Sequence, residues 1–175
     1  MRGQAASADR TLVLGLGNDI LADDGVGLQA ARRVGEFIGD LADVAEASIA
    51  TIDLLSMMSG YDRVVIVDAF LSRDLPVGTQ VRATPEDLPK GFGYRSFHTL
   101  TFGEVMELGE WLGVSMPSEV VIHGLSVDQT DTFGEAFSPE VEQAWEGWAE
   151  QIVRTEFGLE LARTNFPHLG NPEDE

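Results

Sequence analysis

Residues 11–16 (TLVLGL) form a short β-branched and apolar run that ends in Gly15–Leu16–Gly17. That is the pattern of a buried strand entering a tight turn. From Gly25 to about Leu41 the period lengthens. Val26, Ala30, Val34, Ile38 and Leu41 recur near 3.6-residue spacing and predict an amphipathic helix. Residues 44–49 read as a less regular strand and 54–59 as a short helix. The clearest strand is 63–70 (RVVIVDAF), whose four consecutive β-branched residues imply burial on both faces. Such runs belong to parallel sheets covered by helices. TQVR (79–82) alternates behind Pro76 and Gly78 and suits an edge strand. Thr101 and Glu104 match a capping box for a helix carrying Val105, Leu108 and Leu112. Residues 119–122 read as another short strand that runs into His123–Gly124. Ser138–Pro139 then opens a last helix, with Val141, Trp145, Trp148, Ala149 and Ile152 along one face. Strands alternating with helices predict an α/β fold, a three-layer α/β/α domain with a mostly parallel twisted sheet of about five strands. Right-handed crossovers would put helices on both faces. The expected division is an N-terminal extension at 1–10, one domain at 11–162 and an acidic C-terminal tail at 163–175.

The chain has 175 residues, of which 43% are hydrophobic and 23% charged, an ordinary globular composition. Without cysteine, thiolate metal sites, iron–sulfur clusters and cysteine nucleophiles are excluded. Eleven Lys and Arg against thirty Asp and Glu give a formal net charge of −19. A chain so acidic repels phosphate backbones and anionic bilayers, so no nucleic-acid or membrane partner is expected. Residues 1–10 lack the apolar core of a secretory signal, and a cytoplasmic protein, a monomer by default, is expected.

The turn after the first strand, GLGNDILADDGVG, sits where a dinucleotide fingerprint would, but Ile20 occupies the third glycine's slot. A phosphate-binding Gly-Lys-Ser/Thr loop is also absent. What the turn offers is Asp23 and Asp24 side by side. Aspartate at a helix start ordinarily caps free N–H groups, yet one cap needs only one carboxylate. Asp68 ends the Val64–Val67 run, where a parallel sheet delivers residues to its carboxyl edge. It reads either as a loop cap or as a carboxylate awaiting a hydrogen bond, a partner or a metal. His98 precedes a predicted helix, whose positive end favours a neutral, metal-competent ring, though a structural role is the alternative. His123 reaches the same edge on this reading, as a supporting residue or a satisfied core histidine, and His168 falls in the solvated tail. The topology collects Asp24, Asp68 and His98 on one edge. Two carboxylates and an imidazole suit a borderline divalent metal such as nickel or zinc.

In LVLGLGNDILADDGVG, VVIVDAF and HTLTFGEVM the chain resembles the hydrogenase maturation protease family, the endopeptidases that trim nickel-containing hydrogenase large subunits. The PVGTQV stretch and the closing helix with its tryptophans agree in position, and the similarity runs from about Thr11 to Arg154. The resemblance implies a twisted sheet between helices and removal of a C-terminal peptide from a large-subunit precursor. It also implies metal-ligating and catalytic roles for Asp24, Asp68 and His98. The nickel would arrive with the precursor, and no tightly bound cofactor is expected. Two places depart from the family. EASIATID replaces a glycine-rich segment after the second strand, with Glu46 in the acid's place, and HGLSVDQTD lacks a proline and adds His123. No nucleophile motif is present, so hydrolysis by water is expected, activated by the metal or by an aspartate acting as general base. Two rival readings use the same residues: a non-catalytic accessory protein that binds nickel or the precursor, and a flavodoxin-like small-molecule binder.

Overall fold

The computed structural model describes residues 9–48, 51–87, 102–134 and 136–161. Within them the elements alternate as the periodicity predicts. β1 (Thr11–Leu16) leads through a 3-10 turn at Ala22–Gly25 into α1 (Val26–Ile38). β2 (Asp43–Ala47), α2 (Thr51–Met58) and β3 (Arg63–Leu71) follow. β4 (Gln80–Ala83), α3 (Phe102–Trp111), β5 (Glu119–Val127) and α4 (Pro139–Phe157) complete the order. Thr101, His98, His168 and the predicted tail lie outside the described residues.

The five strands form one sheet in the order β2-β1-β3-β5-β4. The pairs β1–β2, β1–β3 and β3–β5 are parallel, and β4 pairs with β5 antiparallel, the edge strand that the alternation in TQVR suggested. Side chains of a strand point alternately to its two faces, and two cores result. Val13, Val65, Val67, Leu125 and Val127 face α1 and α4, where Val34, Trp148 and Ile152 are buried. Leu12, Leu14, Val64, Ile66 and Ile122 face α2 and α3, represented by Leu55, Met58 and Val105. Helices thus cover both faces of a mostly parallel sheet, the three-layer α/β/α architecture expected. Among the described residues no helix is long and apolar enough to cross a membrane.

The strand predicted at 119–122 runs on to Val127, which leaves His123 in mid-strand rather than at the carboxyl edge. His123 pairs with Val67 in register, and so faces α4, away from the side to which Asp68 points. Its Nε2 donates to Glu156 Oε1 at 2.7 Å. Arg82 Nε donates to the same oxygen at 2.8 Å, and Arg63 pairs with the other. The Glu156 side chain is 1% exposed. Burial alone would raise its carboxyl, but the hydrogen bonds from His123 and Arg82 outweigh that and hold its pKa at about 2. A depressed carboxyl contributes stability above its ordinary value of 4.5 and loses it as the pH falls towards about 2. Glu156→Gln should therefore cost roughly 2 kcal/mol near neutrality, the scale for hydrogen bonds to charged groups. In urea titrations across pH the gap to wild type should close in acid; a constant gap would deny the ion cluster this role.

Candidate functional site

β1 lies between β2 and β3, so the chain leaves β1 towards one side through α1 and comes back on the other through α2. Such a reversal opens a crevice at the carboxyl ends of the strands, where open α/β sheets take their ligands. Both candidate carboxylates stand there. Asp24 comes from the turn after β1, and Asp68 from β3. The register pairs Gly15 with Val67, which sets Asp68 level with the end of β1 while β3 continues beside β5 to Leu71. Phe70, two residues on and on the same face, lays its ring where a Cβ at Gly124 would be, 2.8 Å from Cδ1. Gly124 is the register partner of Asp68, so this aromatic cover sits beside the carboxylate.

The glycines of the first turn exist for close approach. A Cβ on Gly17, at φ +145°, would fall 2.0 Å from the carbonyl oxygen of Asp24. One on Gly27 would meet the carbonyl oxygens of Leu16 at 2.3 Å and Val67 at 2.6 Å. The first turn of α1 therefore sits astride the ends of β1 and β3, and that contact brings Asp24 to Asp68. Ala22 adopts φ +36°, a conformation that costs a non-glycine residue of order 1 kcal/mol. Its N–H donates to Gly134 O at 2.6 Å, which helps fix the turn in that shape.

The adjacent aspartates have separate roles. Asp23, 1% exposed, accepts the Ser138 N–H at 2.7 Å and so ties the turn to the start of α4. The local capping reading does not hold, since no side chain caps the turn or α1; the partner lies 115 residues away, where no local pattern could show it. Asp24 and Asp68 are 8% and 4% exposed, and neither forms an ion pair among the described residues. Burial pushes the Asp24 carboxyl up, with the Asn18 backbone amide pulling it partly back. Burial raises Asp68 well above the carboxylate range, the neighbouring Asp24 charge raises it further, and the Ala69 amide offsets part. Two buried like charges call for either a shared proton or a cation. Hard, anionic oxygens of this kind accept divalent metals readily.

The two carboxylates supply only two ligands. Among the described residues no three of His, Asp and Glu come together as a metal site, and His98, the third of the expected set, lies outside them. His123 is turned to the other face. Glu46, which takes the acid's place in EASIATID, is held by Arg32 of α1, Nε to Oε1 at 2.8 Å and Nη2 to Oε2 at 2.6 Å.

The sequence profile of the hydrogenase maturation protease family matches residues 36–155. A hydrogenase expression/formation protein, HupD of Thiocapsa roseopersicina, is 27% identical over 92% of this chain and 77% of its own. The hydrogenase 2 maturation protease of Escherichia coli is 26% identical over 82% and 88%. The structure of the hydrogenase maturating endopeptidase HybD from E. coli superposes with a TM-score of 0.72 at 26% identity, covering 86% of this chain and 95% of that one. The NiFe hydrogenase maturation protease HybD from Thermococcus kodakarensis gives 0.63 at 28% identity, over 83% and 97%.

Proposed function

The chain belongs to the hydrogenase maturation protease family, and from that premise we propose that it is an endopeptidase releasing a C-terminal peptide from a nickel-loaded hydrogenase large-subunit precursor. The observation that supports this most is the pair of buried carboxylates, Asp24 and Asp68, at the switch point of the sheet. Their repulsion gives the site an affinity for a cation, and in this reading the cation is the nickel already seated in the substrate. His98 is proposed as the third ligand. Engaging the metal through the protease fixes the precursor's terminal segment over the crevice, and orientation of this kind contributes several kcal/mol to a hydrolytic step.

For the chemistry we propose an aspartic-type reaction. A carboxylate with a raised pKa is matched to proton transfer near neutrality. It takes a proton from a water molecule as the water oxygen bonds to the scissile carbonyl carbon. The C–N bond then breaks, and the proton passes to the departing amine. Metal ligands and the general base are drawn from the same three residues, Asp24, Asp68 and His98.

The test is incubation of the purified chain with a large-subunit precursor, loaded with nickel or nickel-free, with mass spectrometry of the released peptide. Release from the loaded precursor only, and none with His98→Ala, is the expected result. Binding of the precursor without cleavage would favour the accessory-protein reading, and equal cleavage of the nickel-free form would remove the metal from recognition.

A further inference from the structure

Beside Asp24 the rim of the crevice carries two large apolar side chains in water: Ile20 is 55% exposed and Phe133 80%. They lie on two segments joined in a short parallel bridge, in which Leu21 pairs with Gly134. The Ala22 N–H donates to Gly134 O at 2.6 Å, and the Gly134 N–H donates to Ile20 O at 3.1 Å. Ile20 and Phe133 each come one residue before a bridge partner, so the bridge holds them on neighbouring stretches of the rim. The Ile20 N–H is further held by Asn18 Oδ1 at 3.2 Å, so the pair rests on hydrogen-bonded backbone rather than a loose loop.

The same two segments carry the exposed carboxylates Asp19, Asp128 and Asp131. Apolar side chains with charged neighbours are the anatomy of a protein interface, and exposed aromatics at such places tend to dominate binding. The location names the partner. The turn that carries Ile20 also carries Asp24, so a chain cut at Asp24 and Asp68 passes close to this pair.

We propose that Ile20 and Phe133 form a docking surface for the precursor next to its scissile bond, seating an apolar side chain whose basic neighbours meet Asp19, Asp128 and Asp131. The proposal rests on the endopeptidase reading for its partner. It identifies where substrate affinity resides, apart from the metal.

The experiment measures kcat and KM on nickel-loaded precursor for Ile20→Ser, Phe133→Ser and the double variant, and separately the Kd for the precursor. Loss of an aromatic anchor should raise KM and Kd roughly 10- to 100-fold. kcat at saturation should stay within about threefold, the signature of lost binding that acts equally on ground and transition states. Added salt should raise the wild-type KM. Trp111→Ser, at an 82% exposed residue closing α3, should change neither constant. An unchanged KM and Kd in the double variant overturns the proposal. So does a drop of several degrees in Tm with KM intact, which would mean that another part of the chain covers the pair. If wild type binds the precursor without cutting it and the double variant does not bind, the docking surface stands and the endopeptidase reading falls.

Discussion

Asp68→Asn should abolish precursor processing and, at neutral pH, raise the melting temperature. The two effects have one cause. Asp68 is 4% exposed, beside the Asp24 carboxylate. Burial first, and that neighbouring charge second, hold its pKa well above the ordinary 3.8. A carboxyl raised in the folded state binds its proton more tightly there than in the unfolded chain. Stability attributable to it is therefore full below the unfolded value and falls as pH rises towards the folded one. Near neutrality the penalty is in place, and asparagine removes it at nearly constant volume. A gain of a few degrees is expected, since about 1 kcal/mol moves the Tm of a chain this size by roughly 2–4 °C. The difference from wild type should shrink as the pH falls towards 3.8 and be gone below it. Activity moves the other way. Asparagine can neither accept the water's proton nor offer an anionic oxygen to a cation, and loss of a general base alone costs about 10²- to 10⁴-fold. Calorimetric melts across pH, with peptide release by mass spectrometry, separate the outcomes. A variant that is less stable and inactive would make Asp68 a structural residue, and one that still cuts would remove it from the chemistry.

That opposition between stability and activity explains which parts of the fold were legible in the sequence. β1 and β3 announce themselves because strands buried on both faces need unbroken apolar runs, and Leu12–Leu14 and Val64–Val67 supply them. Asp68 stood out because it interrupts such a run. The pattern makes β5 look too short because His123 and Gly124 break its apolar run, and each break is compensated from a distance. Glu156 of α4 satisfies the histidine, and the Phe70 ring fills the space above the glycine. The role of Asp23 is hidden for the same reason, its partner being the backbone of Ser138. The rim pair of Ile20 and Phe133 gave no signal, since the bridge joining them is a contact of distant segments. Local pattern reveals what is buried. It does not reveal what long-range partners make tolerable, and polar functional groups depend on the latter.

Gly27→Ala should be strongly destabilising, although it replaces a poor helix former with the best one. In α1 the change to alanine would by propensity gain about 1 kcal/mol. Against this, the new Cβ would lie 2.3 Å from Leu16 O, 2.6 Å from Val67 O and 2.9 Å from the Asp68 Cα. All three are backbone atoms of β1 and β3, so no side-chain rotation can make room. Overpacking of this kind costs typically 1–3 kcal/mol and sometimes more, and the lack of any yielding neighbour puts Gly27→Ala at the upper end. Gly147 provides the contrast. It lies within α4, exposed, and a Cβ there would meet nothing within 4 Å. Gly147→Ala should stabilise by about 0.5–1 kcal/mol. Urea unfolding of the two variants thus tests whether the clash outweighs propensity, and equal shifts of the same sign would refute the close packing of α1 on the sheet. Activity gives the second readout. Relief of the clash requires the first turn of α1 to lift from β3, and Asp24 lifts with it. Processing should then fall in Gly27→Ala even at temperatures where the variant is fully folded, because the two carboxylates no longer share one site.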